Sequence, residues 1–188
     1  MRLVVGIVAL MWVLEIVDLL TRHPLDPLGI QSRDLDGLTG VLLAPFLHFG
    51  FGHLIANTIP LVVLGVIIAF EGMARVLAVT VIAALSSGAG VWLLGPSSTV
   101  TAGASGIVFG YAAYLIARGL ISRSMLHLAV GAVVVVVWGA GLLAGVLPQA
   151  GISWQGHLFG AAGGVLAARL LQGRARGATA IRPPAPET

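Results

Sequence analysis

"TAGASGIVFGYAAYLIARGL", residues 101–120, is the stretch on which the fold turns. It carries no charge until Arg118 and is long enough to cross a bilayer as a helix. Its one serine, Ser105, stands near the loop end between Gly103-Ala104 and Gly106. A serine at the mouth of a membrane helix, without bulky neighbours, leaves room for a second molecule and for backbone N–H donors. The rest of the chain must say whether such a room is used.

Composition places that stretch among others of its kind. Of 188 residues, 58% are hydrophobic and only 9% charged, against about 25% charged in an ordinary soluble domain. So few charges cannot cover a water-facing surface, so an integral membrane protein of one domain is expected. There is no cysteine, which excludes disulfides, thiol nucleophiles and thiolate metal sites. The basic residues are ten arginines with no lysine, set against seven acids for a net charge of +3. They are scattered, with few aromatic residues between them, so they read as membrane-topology bias and not as a nucleic-acid surface. The Arg-only, Ala/Val/Gly-rich composition points to a bacterial plasma membrane.

Apolar runs lie at 3–20, 53–70, 75–94, 104–120, 125–147 and 154–172. Each is near the length of a bilayer crossing, which predicts an all-α bundle of six transmembrane helices over residues 1–173, with a long outer loop at 21–47. The first run is kept as a span. It carries Glu15 and Asp18, and Arg22-His23-Pro24 offers no small-residue cleavage site. The Pro- and Ala-rich residues 174–188 read as a disordered cytoplasmic tail. With six crossings, Arg2, Arg75, Arg118, Arg123, Arg174, Arg176 and Arg182 fall on one side. Arg22 and Arg33 fall on the other, diluted by Asp26, Asp34 and Asp36. The positive-inside rule then puts both termini in the cytoplasm.

Polar groups inside a span are costly and mark function by default. His53 and Asn57 lie in the second run, Ser105 in the fourth and His157 in the sixth. His53 and Asn57 are four apart and share one helix face. The three runs point the same way, and each polar residue falls near its beginning, so all four reach a similar depth near the outer side. Small residues reinforce this: Gly106 and Gly110 in the fourth run, Gly160 and Gly164 in the sixth. Four-residue spacing of glycine lets helix backbones approach closely, which would bring Ser105 and His157 within hydrogen-bond reach. His157 can then take the proton of Ser105, and His53 and Asn57 can donate to a developing oxyanion. No acid in the spans is placed to orient the imidazole, so a dyad is expected, without metal or cofactor. Each signal alone has a plainer reading, as helix packing or a cross-helix hydrogen bond. His48 reads as an interface residue, His127 as a histidine without an evident partner, and Glu71 as a solvated pair with Arg75 at i+4. What is uncommon is four polar positions at one depth.

"HFGFGHLIAN" (48–57), "GASG" (103–106) and "GHLFGAAGG" (156–164) together resemble the rhomboid family of intramembrane serine proteases. The resemblance implies a Ser105/His157 catalytic dyad. It implies an oxyanion site lined by His53, Asn57 and the Ser105 N–H, with His48 in support. Substrates would be single-pass membrane proteins cut in or near their membrane segment. Three features depart from the family pattern: Thr39 and Gly40 stand where many members carry Trp-Arg, Phe109 stands where some carry a tyrosine that packs on the histidine, and Gly65 to Glu71 are more widely spaced than expected. Two rival readings remain. A small transporter or proton relay through His53, His127 and His157 lacks the intramembrane acids that relays use in spans two to six. A non-catalytic binder of membrane proteins would tolerate loss of Ser105 or His157, yet both are present.

The arginine asymmetry is tested by reporter fusions. Fusions at residues 35, 98 and 150 should read outside, and those at 73, 122 and 178 inside. A cytoplasmic reading at 98 would put Ser105 at the wrong face.

Overall fold

The computed structural model of the chain describes residues 2–180, with side chains as far as Gln172. The apolar runs are helices, and the first five agree with the expected limits to within two residues. They are α1 (Arg2–Leu20), α3 (Phe51–Ala69), α4 (Met73–Leu94), α5 (Ser105–Ser122) and α6 (Met125–Gly145). A one-turn helix α2 (Gly40–Leu43) lies in the long loop, and α7 (Trp154–Ala180) closes the fold. Among the described residues, α1, α3, α4, α5 and α6 are each long and apolar enough to cross a membrane. The last helix, α7, packs along α5 and α4. The architecture is thus an all-α membrane bundle. α7 runs on to Ala180, beyond the expected start of a tail at 174; residues 181–188 of that tail lie outside the described residues.

The bundle is built around α5. Its buried residues include Gly106 to Ala112 without a break, then Tyr114, Leu115 and Gly119, and it touches α3, α4, α6 and α7. A helix buried on every face cannot be read by amphipathicity. Here the small residues decide its neighbours. A Cβ added to Gly160 would come within 2.8 Å of the Gly106 carbonyl carbon and 3.0 Å of its Cα. One added to Gly164 would come within 2.9 Å of the Gly110 Cα. The two helices therefore meet backbone to backbone, closer than any side chain permits. A second close approach joins α7 to α4, where the Phe159 ring lies against Gly90.

The long loop is docked on the C-terminal end of α4, where the Val91 carbonyl also accepts the Gly95 N–H. The last carbonyls of a helix have no partner within it. Ser32 Oγ donates to the Val91 carbonyl at 2.8 Å, and Arg33 Nη1 donates to those of Leu93 and Gly95 at 3.2 and 2.9 Å. In return, Trp92 Nε1 donates to the Asp34 carbonyl. This docking lays β1 (Ile30–Gln31) antiparallel to β2 (Val100–Thr101), with Ile30 opposite Thr101. Thus the segment that enters Ser105 is held by the loop 21–47, with no Trp-Arg pair at Thr39 and Gly40.

Two expectations are corrected at the opposite end. Glu71 is not a solvated pair: its side chain is only 14% exposed. Arg75 Nε lies 3.3 Å away, Arg118 contacts it, and the Tyr114 hydroxyl donates to it at 3.2 Å. Tyr114 and Arg118 stand one turn apart on α5 and so reach the α3–α4 turn together. His127 also has a partner: its Nδ1 lies 2.9 Å from Ser122 Oγ and closes the α5–α6 turn.

Backbone contact between α5 and α7 makes a sharp prediction. Gly164→Val should lower Tm markedly, since overpacking costs about 1–3 kcal/mol and the Gly110 backbone cannot turn aside. Gly6→Ala, where nothing lies within 4 Å of the added carbon, should leave Tm unchanged or slightly raised. Thermal melts of both variants in one detergent check this.

Candidate active site

Ser105 is the first residue of α5 and follows a turn that only glycine makes easily: Gly103 has φ +118°. The turn is pinned from two sides. The Gly103 N–H donates to the Ala44 carbonyl at 2.8 Å, and the Ala104 N–H points at His48 Nε2 at 3.4 Å. His48 is 2% exposed. Its burial, with His53 beside it, pushes its pKa down to about 4, so the ring is neutral and can accept. The supporting place expected for His48 is thus a contact beneath the Ser105 turn.

His157 lies in the first turn of α7, carried to α5 by the Gly106–Gly160 contact. Its Nε2 stands 2.8 Å from Ser105 Oγ. Its Nδ1 stands 2.8 Å from the Gly145 carbonyl, at the last residue of α6. A carbonyl can only accept, so Nδ1 carries the proton and Nε2 offers its lone pair to the serine hydroxyl. Phe109 lies flat on the imidazole, with centroids 4.0 Å apart and planes 7° apart. The ring contact survives the absence of a tyrosine hydroxyl.

His53 and Asn57 line the same cavity as Ser105, Phe109 and His157, an open space of about 1120 Å³ between α3, α5, α6 and the start of α7. His53 packs against Gly103, where an added Cβ would lie 2.7 Å from its Nε2. It sits edge-on to His48 with centroids 5.1 Å apart. Asn57 is 4% exposed. Its Nδ2 donates to the His53 carbonyl at 3.0 Å, which occupies one of the two amide protons and leaves the other. All four expected polar residues thus meet at one cavity. Of the small residues singled out, Gly103 shapes the turn, while Gly106, Gly160 and Gly164 set the helix spacing. None of these glycines contributes a reactive side chain.

Gly145 escaped the sequence reading. A Cβ there would press on Phe109 and come within 3.0 Å of His157 Nδ1. The group that orients the imidazole is a backbone carbonyl, and no residue type announces a carbonyl. The only trace is a glycine closing the apolar run of α6.

Residues 36–174 match the Rhomboid domain. Over 184 residues the chain is 42% identical to an uncharacterized protein of Mycobacterium tuberculosis (strain ATCC 25618 / H37Rv), covering 93% of this chain and 76% of the relative. It is also 42% identical over 183 residues to an uncharacterized protein of Mycobacterium leprae (strain TN), covering 93% of this chain and 72% of the relative. The domain match takes in α3, α5 and α7, the helices on which the cavity's polar groups stand, and the chain belongs to the rhomboid family of membrane proteins.

Proposed function

We propose that the chain is an intramembrane serine protease that cuts membrane-anchored proteins in or near their transmembrane segment. The observation that carries this reading is the 2.8 Å contact between Ser105 Oγ and His157 Nε2, with the tautomer held by the Gly145 carbonyl. A serine hydroxyl is a weak nucleophile until a base takes its proton. In the proposed reaction Ser105 attacks a peptide carbonyl while His157 removes its proton. His157 then returns that proton to the departing amine, and water repeats the attack on the acyl-enzyme. The chemistry needs no metal or cofactor.

The negative oxygen of the tetrahedral intermediate forms beside Ser105, at the N-terminus of α5. First-turn N–H groups there lack helical partners, and the helix dipole favours negative charge. The free amide proton of Asn57 and the His53 ring are the side-chain donors facing the same cavity. Substrate backbone must leave its helix to reach Ser105, because helical carbonyls are already bonded. A substrate with Gly or Pro near the cut site unwinds at lower cost. In the proposed orientation both termini are cytoplasmic and the cavity opens to the outer side, where water is available. A non-catalytic binder is less well supported, since nothing in binding calls for a serine and a histidine at hydrogen-bond distance with a fixed tautomer.

Purified protein incubated with a panel of single-pass substrates tests the reading. Ser105→Ala and His157→Ala should each abolish cleavage and fluorophosphonate labelling without loss of fold. The double variant should be no worse than either single one, because the pair acts as a unit. Substantial cleavage by Ser105→Ala would sink the proposal.

Asn57→Ala separates an oxyanion role from a structural one. Loss of one such donor typically costs about 10²–10³ in kcat, so weak cleavage should persist with KM little changed. Full activity would remove Asn57 from the oxyanion site, and a fall in Tm matched by the fall in labelling would make it structural.

A further inference from the structure

The orientation of His157 rests on the Gly145 carbonyl, and so on whatever holds the end of α6. Packing does little of this. Only Gly131, Val134 and Gly145 of the helix are buried, and no residue from Val135 to Ala144 is. α6 is the least buried of the five apolar spans, and lipid gives it no drive toward the bundle. The hold comes instead from the link 146–153, which joins Gly145 to α7. Its sequence, VLPQAGIS, carries two polar side chains. Ser153 serves the α7 end: its Oγ accepts the Gly156 N–H at 3.4 Å, and its carbonyl accepts the His157 N–H at 3.2 Å. Gln149 serves the α6 end: its Nε2 donates to the Ala144 carbonyl, which also accepts the Leu147 N–H at 3.1 Å. The Gln149 carbonyl accepts the Ile152 N–H at 3.4 Å, closing a turn through Gly151 at φ +74°.

The Ala144 and Gly145 carbonyls belong to neighbouring rigid peptide planes, so a bond that fixes the first constrains the second. We propose that Gln149 is a positioning residue for His157, an inference that rests on the reading of Ser105 and His157 as a catalytic pair. By tying the last turn of α6, Gln149 keeps the Gly145 carbonyl against His157 Nδ1, which leaves Nε2 free to take the Ser105 proton. Gln149 is exposed, and a neutral hydrogen bond there adds little stability. Its geometric effect is larger, since a misplacement of about 1 Å can cost about 10²-fold in rate. The role therefore falls on rate and not on stability. Gln149 also lines the open cavity, so direct contact with substrate is the rival role, and that would act on KM.

The test uses the full chain in detergent and two variants. Gln149→Met keeps the length and removes the donor; Gln149→Lys supplies an ammonium, which can donate to the last carbonyls of a helix. Three quantities are read: the rate of fluorophosphonate labelling, kcat and KM on a cleaved single-pass substrate, and Tm. Gln149→Met should lower the labelling rate and kcat by at least about 10-fold. Its KM should stay within about twofold of the parent and its Tm within about 2 °C. Gln149→Lys should recover most of the lost rate. Parental rates in Gln149→Met, a raised KM at parental kcat, a Tm that falls in step with the rate, or a Lys variant as slow as the Met variant would each overturn the proposal. A parent that labels no better than its Ser105→Ala variant would remove the catalytic pair itself, and this role with it, a failure visible without any Gln149 variant.

Discussion

Everything at the cavity depends on α5 and α7 touching backbone to backbone. Lipid tails are as apolar as leucine, so burial of apolar surface gives membrane helices little reason to associate. Close packing must supply it, and packing here requires that Gly106, Gly110, Gly160 and Gly164 have no side chains. The same contact sets a chemical distance. Ser105 precedes the first glycine of one pair, and His157 lies one turn before its partner. A shift of one ångström between the helices would separate the 2.8 Å pair.

The second device is the way backbone atoms stand in for side chains. In a soluble serine hydrolase a buried carboxylate commonly orients the histidine. A carboxylate inside a bilayer is expensive. Here the carbonyl of Gly145 takes that place, using an acceptor that the end of α6 has to spare. The flat contact of Phe109 fixes the ring plane. The same economy holds the loop 21–47, whose polar side chains meet the terminal carbonyls of α4. An imidazole held by a carbonyl also inherits the position of α6, which packs chiefly on α5 and lines the open cavity through Trp138, Gly141 and Leu142. Movement of α6 and the orientation of His157 are therefore coupled.

The charged groups sort by the same logic. At the end away from Ser105, Glu71 is enclosed by Arg75, Arg118 and Tyr114, so its charge is balanced within the protein. At the Ser105 end, Asp18 is held by His23 and by the Leu25 N–H, and Asp26 lies 3.7 Å from the same His23 nitrogen. Both clusters brace helix ends, one through arginines and the other through an imidazole and backbone N–H groups.

Much of this was legible in the residues. Runs of about twenty apolar residues dictate membrane helices, because no other backbone satisfies its own hydrogen bonds in lipid. The direction shared by α3, α5 and α7 sets His53, Asn57, Ser105 and His157 at one depth, and four-residue glycine spacing tells which helices meet. These are one-dimensional properties, so a sequence can carry them. It could not carry the partners of backbone atoms. That Gly145 orients His157, or that Val91, Leu93 and Gly95 receive the long loop, depends on where the folded chain puts those carbonyls. Nor could it show that Glu71 is enclosed or that Ser122 meets His127, since those pairings join residues across helix ends whose rotation only packing sets. Sequence determined the helices and the chemical groups; tertiary structure decided the contacts between them, because a contact belongs to two segments at once and is written in neither.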